Sequence, residues 1–178
     1  MIPLEDAQSH VMKNIKTLKD ENVHLLQGRN RAITEPILSN ESIPPFDNTA
    51  VDGYAVKAID TKGANQETPI SLTVLETIAA GKPPTFAIQS GECSKIMTGA
   101  PIPDGADAVV MVERTKQQEN ESVVAIEEEV SKGQHIRRSG EDLEPGDLVI
   151  PQGTILNAAH LGLLASLGIY QITTVRTP

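Results

Sequence analysis

Leu4, Ala7, Val11, Ile15 and Leu18 recur at steps of three and four. That spacing puts one apolar stripe on a helix predicted over residues 3–20. Pro3 suits the first helical turn, and Glu5 and Asp6 complement the positive end of the helix dipole. A single-stripe helix needs a partner surface. Residues 22–29 predict a short helical turn ended by Gly28 or Asn30. Residues 31–38 read as a strand broken at Pro36, hence an edge strand.

From Gly53 to about Arg138 the period shortens to that of β-structure. Strands are predicted over residues 54–59, 70–78, 94–97, 108–112, 123–126 and 135–137. They are separated by turn clusters: Lys62-Gly63-Ala64-Asn65, Gly81-Lys82-Pro83-Pro84, Pro103-Asp104-Gly105, Glu119-Asn120-Glu121 and Lys132-Gly133. Short strands at close intervals with such punctuation suggest a small barrel or sandwich. Glu127-Glu128-Glu129 reads as a solvated face. After Asp142 come a Pro145-Gly146 turn, a strand over 148–150 and a Pro151-Gln152-Gly153-Thr154 turn. A second helix follows, with Asn157 as N-cap and Gly168 just past its end. Its buried side is Ala158, Leu161, Leu164, Ala165 and Leu167. Residues 169–175 form a last strand. The predicted class is α+β, mostly β. A discontinuous α/β domain (1–47 and 139–178) carries an inserted, small β-barrel-like domain (48–138). The crossings fall near Phe46–Ala50 and Arg138–Asp142.

Composition narrows the classes. Hydrophobic residues make up 39% of 178, aromatic ones 2%, and there is no Trp, so the core is aliphatic. A net charge of −9 argues against a general nucleic-acid or anionic-membrane surface. It leaves room for small anions at a local cationic patch. The single Cys93 forms no internal disulfide, which fits a reducing cytoplasm, and it reads as a buried small hydrophobe rather than a nucleophile. No signal peptide is expected at the start, and the apolar run 158–170 is too short to span a bilayer. His10, His24, His135 and His160 show no metal spacing.

Chemistry is carried by three stretches. Pro44-Pro45-Phe46-Asp47-Asn48-Thr49-Ala50-Val51-Asp52-Gly53-Tyr54 makes a stiff corner. The prolines fix the backbone, Asp47-Asn48 is a turn pair, and Gly53 is read as a turn glycine of positive φ. Asp52 thus sits on a rigid corner, where a catalytic or metal-binding acid is useful; turns alone are the plainer reading. Thr98-Gly99 follows a strand, and its hydroxyl and amide can cradle an oxyanion or simply end that strand. Arg137-Arg138-Ser139-Gly140-Glu141-Asp142 sets two guanidinium groups beside two carboxylates. It is either a surface salt-bridge cluster or a site for an oxyanion and its Mg²⁺.

These stretches, with Lys95-Ile96-Met97-Thr98-Gly99-Ala100-Pro101-Ile102-Pro103 as the fuller second one, resemble the molybdopterin molybdenumtransferase family (bacterial MoeA proteins and the gephyrin E domain). The resemblance runs along nearly the whole chain but covers only the N-terminal part of a family member. It implies insertion of molybdate into adenylylated molybdopterin with release of AMP. It further implies Mg²⁺ and a homodimer whose site is completed by the partner's pterin-binding domain. Active-site roles pass to Asp52, Thr98, Arg137 and Asp142, with Gly99 beside the substrate and Asp52 and Asp142 as the metal carboxylates. The molybdopterin adenylyltransferase is a further candidate partner. The chain alone is expected to be inactive, and its first helix to lie exposed, or to pack differently, without the pterin-binding domain. Two alternatives stay open: a non-catalytic scaffold of gephyrin type, and a stand-alone barrel that binds nucleotide or molybdate unaided.

Overall fold

The first helix stops well before its stripe does. In the computed structural model, which describes residues 2–16, 18–118 and 122–177, α1 is Leu4–Asn14 and no residue of it is buried. Leu4, Val11, Met12 and Ile15 are all exposed. The turn expected at 119–121 lies outside the described residues.

In chain order the strands are β1 (Asp20–His24), β2 (Ile37–Leu38), β3 (Asn48–Thr49), β4 (Gly53–Val56), β5 (Ile70–Ile78) and β6 (Glu92–Ile96). They continue with β7 (Ala108–Met111), β8 (Thr115–Gln117), β9 (Val123–Ile126), β10 (Ile136–Arg137), β11 (Leu148–Ile150) and β12 (Gln171–Val175). Helix α2 (Ala158–Ser166) precedes β12. The mostly-β expectation is borne out. The chain forms two units, Met1–Asn40 with Pro145–Pro178, and Glu41–Glu144.

In the first unit β1 pairs antiparallel with β12 from Asp20↔Val175 to His24↔Gln171, and β2 pairs with β11. Of the helical turn expected over 22–29, residues 22–24 are strand, because pairing with β12 outweighs a weak helical pattern, and only Leu25–Gln27 make a 3₁₀ turn. The core holds Val23, Leu25, Ile33, Ile150, Leu156, Leu164 and Ile172. Asn157 caps α2 as predicted. Its Oδ1 accepts the His160 amide, and His160 Nδ1 accepts the Asn157 amide in return. Gly168 ends the helix with φ +69°. Of the predicted buried side, Leu164 is buried while Ala158 and Ala165 are exposed.

The second unit is built on a six-stranded sheet in the order β7-β4-β6-β5-β9-β8. All its pairings are antiparallel except β5 with β6. Alternation divides β4 and β7 between two cores. Tyr54, Val56, Ala108 and Val110 join Cys93 and Val124 on one face. Ala55 and Val109 join Ile78, Ile96 and Ala100 on the other. Cys93 is fully buried, and desolvation pushes its thiol up to about 12.

Two local readings need correction. The strand expected to run to Ile59 ends at Val56, because Asp107 Oδ1 takes the Ala58 amide at 2.7 Å and the chain turns through a 3₁₀ segment at Ala58–Thr61. Gly53 does not have the positive φ of a turn; it lies inside β4. A Cβ there would stand 2.0 Å from the Val110 carbonyl oxygen, so close strand approach is what requires glycine.

Candidate functional site

The site is organised on β3. One edge of β3 bonds to the 98–101 loop: the Thr49 amide donates to Ala100 O, and the Gly99 amide donates to Thr49 O. The other edge pairs with β10, Ile136 opposite Thr49 and Arg137 opposite Asn48. The two flanking backbones thus lie two ladder spacings apart, about 10 Å. Beneath them Ala100 and Ile96 are buried, and Ile136 is half-buried against the same core.

On the first flank β4 lies beside β6, with Gly53 opposite Ile96. That pairing brings the residue before β4 next to the residue two past β6. The Thr98 amide and hydroxyl both donate to Asp52 Oδ1, at 2.7 and 2.8 Å. The Thr49 hydroxyl donates to Val51 O and accepts the Val51 amide, and the Val112 amide donates to Asp52 O. The corner is therefore pinned from three sides. The Thr98 amide, then the Thr98 hydroxyl, hold the Asp52 carboxyl below its ordinary value of 3.8, so it is ionised at neutral pH. Asp52 Oδ2 accepts no hydrogen bond from the described residues. Gly99 has φ +79° and open space where a Cβ would be, but its amide is committed to Thr49.

On the second flank Arg137 is forked between two acids. Its Nε donates to Glu141 Oε1 and its Nη2 to Asp142 Oδ2, each at 2.6 Å. The Glu141 bond, then the Asp142 bond, hold its guanidinium above the usual value. Glu141 Oε2 takes the Arg138 amide. Asp142 is fixed through its own amide, which donates to Ile43 O. Asp47 closes the loop, accepting the Ser139 amide at 2.8 Å and Arg138 Nη1 at 2.5 Å. The Ser139 amide is the main reason the Asp47 carboxyl is held low.

Asp52 and Thr98 are thus in direct contact, as are Arg137 and Asp142. No bond joins the two pairs among the described residues. Asp47 was read from the sequence as a local turn residue, yet its partners are 91 and 92 residues away. Nothing local signals that contact. Asn48 does behave as a turn residue, its Nδ2 donating to Phe46 O. Two guanidinium groups face four carboxylates here, so the surface carries a surplus of negative charge. Such a surface takes an anion readily only together with a cation. Among the described residues no three His, Cys, Asp or Glu side chains gather to hold a metal ion. No helix among them is long and apolar enough to cross a membrane.

The family model for the MoeA N-terminal region (domain I and II) matches residues 2–168. Molybdopterin molybdenumtransferase 2 of Mycobacterium tuberculosis is 39% identical over 172 residues, covering 97% of this chain and 42% of the relative. The molybdopterin molybdenumtransferase of Staphylococcus aureus strain MRSA252 is 33% identical over 177 residues, covering 99% and 42%. A crystal structure of the molybdopterin biosynthesis MoeA protein from Pyrococcus horikoshii OT3 superposes with a TM-score of 0.92 at 35% identity, covering all of this chain and 47% of that one. The chain spans less than half the length of these relatives. With almost every residue matched and the fold shared at that level, it belongs to the MoeA N-terminal region family.

Proposed function

We propose that this chain is the N-terminal part of an enzyme that inserts molybdate into adenylylated molybdopterin and releases AMP, and that it supplies half of the active site. The observation that carries the reading is the paired arrangement across β3: an ionised acid held by Thr98 on one side, a guanidinium forked between two acids on the other. Molybdate and the nucleotide phosphate are both anions and repel each other. Arg137 is the positive charge assigned to screen that repulsion. Asp52, with Oδ1 tied to Thr98, keeps Oδ2 for a proton or a bound water. Thr98 fixes that carboxylate and leaves its hydroxyl lone pairs for a donor.

The donor set fits Mg²⁺, which takes one or two protein carboxylates beside waters and substrate phosphates. Asp52 and Asp142 are the residues that would hold it, and when bound it would neutralise oxyanion charge. The other half of the site is assigned to the pterin-binding domain of a second subunit in a cytoplasmic homodimer, with the molybdopterin adenylyltransferase as the donor of substrate. The relatives' extra length is consistent with a further domain beyond the part matched here.

The test is molybdenum insertion by the full-length enzyme. Asp52→Ala and Asp142→Ala, each with a native circular dichroism spectrum, should lose about 100-fold or more in rate. Full activity in both variants overturns the reading in favour of an interaction module. The 178-residue chain alone should show no insertion.

A further inference from the structure

Arg137 and Arg138 are adjacent, yet different acids hold them. Arg137 is forked between Glu141 and Asp142, while Arg138 Nη1 donates to Asp47 Oδ2. Local spacing does not explain the division. Arg138 stands four residues before Asp142, as Arg137 stands four before Glu141, so sequence separation favours neither arginine at the fork. The Arg138 amide already donates to Glu141 Oε2 at 2.9 Å, so a fork carboxylate lies beside it.

The β3–β10 ladder separates them. Ile136 stands opposite Thr49 and Arg137 opposite Asn48, so the next step of that register brings Arg138 opposite Asp47. Neighbouring side chains on a strand leave from opposite faces, which sends the two guanidinium groups apart. Opposite charges facing each other across the pair then hold the second one. A Cβ at Gly133 would lie 3.7 Å from Arg138 Nη2, so this guanidinium rests beside the turn that precedes β10. The loop backbone has anchors of its own: the Gly140 amide donates to Pro44 O and the Asp142 amide to Ile43 O.

We propose that Asp47 is a positioning residue: it holds Arg138 beside the Gly133 turn and so leaves Glu141 and Asp142 to Arg137 alone. Without the Asp47 charge, two guanidinium groups would share two carboxylates. Ion pairs this exposed exchange partners at little cost, and Glu141 is already in contact with the Arg138 backbone. The inference rests on the reading given under Proposed function for its consequence, which is that Asp47 selects the cation presented to the substrate anions.

The chain has six arginines, so the Nε–H signals of Arg137 and Arg138 can be assigned in proton–nitrogen NMR spectra of the 178-residue chain. In the native chain the Arg137 Nε–H should exchange slowly, because Glu141 accepts it at 2.6 Å. Asp47→Asn keeps an oxygen for the Ser139 amide and removes the charge. It should quicken exchange at the Arg137 Nε–H about threefold, and adding Arg138→Gln should return the native rate. A native Thr98 amide signal marks each variant as folded. The proposal is overturned if Asp47→Asn leaves the Arg137 signal as it is. It is also overturned if Arg138→Gln fails to restore that signal, since Asp47 would then act only through the Ser139 backbone. In the full-length enzyme, Asp47→Asn should raise the apparent KM for molybdate about threefold while kcat stays within about a factor of two. Arg138→Gln should bring that KM back. An unchanged KM beside a disturbed Arg137 signal overturns the role given to Arg137 under Proposed function and leaves the division of the arginines standing.

Discussion

On one side of β3, Asp52 is held by the two neutral donors of Thr98. On the other, Asp142 is held by the guanidinium of Arg137. The first arrangement sits at the end of a central strand pair and rests on buried Ile96 and Ala100. The second is a solvent-facing loop closed by charge, with side chains 36–55% exposed. Asp52 and Thr98 are themselves exposed, but the donors are neutral and their backbone rests on a buried strand end, so salt screens this contact less than an ion pair. Exposed ion pairs are weak, screened and able to re-form around a new partner. The protein thus sets a fixed acid opposite an adjustable cation–acid fork, a sensible division where one half must wait for a ligand.

The strongest way to break the comparison is to disturb the stiff flank from beneath. Gly53→Ala places a methyl 2.0 Å from Val110 O and should cost about 3 kcal/mol in urea unfolding. The Thr98 and Val112 amides, which donate to Asp52, should lose protection together. A smaller effect comes from the adjustable flank. Asp47→Ala removes the Ser139 and Arg138 contacts and should cost about 1 kcal/mol, since that acid is partly exposed. Hydrogen exchange should quicken over 137–142 while Thr98 stays protected; loosening on both flanks would show that they are one unit. The smallest change sharpens the picture. Thr98→Val deletes the hydroxyl donor but keeps the amide, so the Asp52 carboxyl should rise part of the way toward 3.8 in an NMR titration. Because the folded value is depressed, this contact supports the fold above 3.8 and fades as pH falls through the lowered value. Thr98→Val should narrow that window, and no change in the titration would mean the hydroxyl contributes nothing.

Much of the fold was legible where local chemistry decides it. Asn157 and Gly168 marked the ends of α2, and the predicted spans 70–78, 123–126 and 148–150 match β5, β9 and β11. What escaped was decided by partners. β3 is two residues long, β8 is the edge sequence Thr115-Lys116-Gln117, and β1 reads Asp-Glu-Asn-Val-His with one buried side chain. None carries a period of its own; each exists because a neighbouring strand supplies its hydrogen bonds. The same holds for the site. Asp52, Thr98, Arg137 and Asp142 stood out singly through their motifs. The bond from Asp52 to Thr98 spans 46 positions and follows from the β4–β6 register, while the reach of Asp47 to Ser139 spans 92. Gly53 shows the complementary error: the right residue was singled out for the wrong reason, because a sequence shows a turn glycine and a crowded strand glycine alike.

Cys93 is the second residue of β6, five residues before Thr98, sealed from water and kept protonated. A thiol-directed dye can modify it only when the sheet comes apart. The protein therefore carries a built-in reporter: its labelling rate counts large-scale openings of the strand that leads into Thr98, the residue that holds the candidate acid, with no engineered probe required.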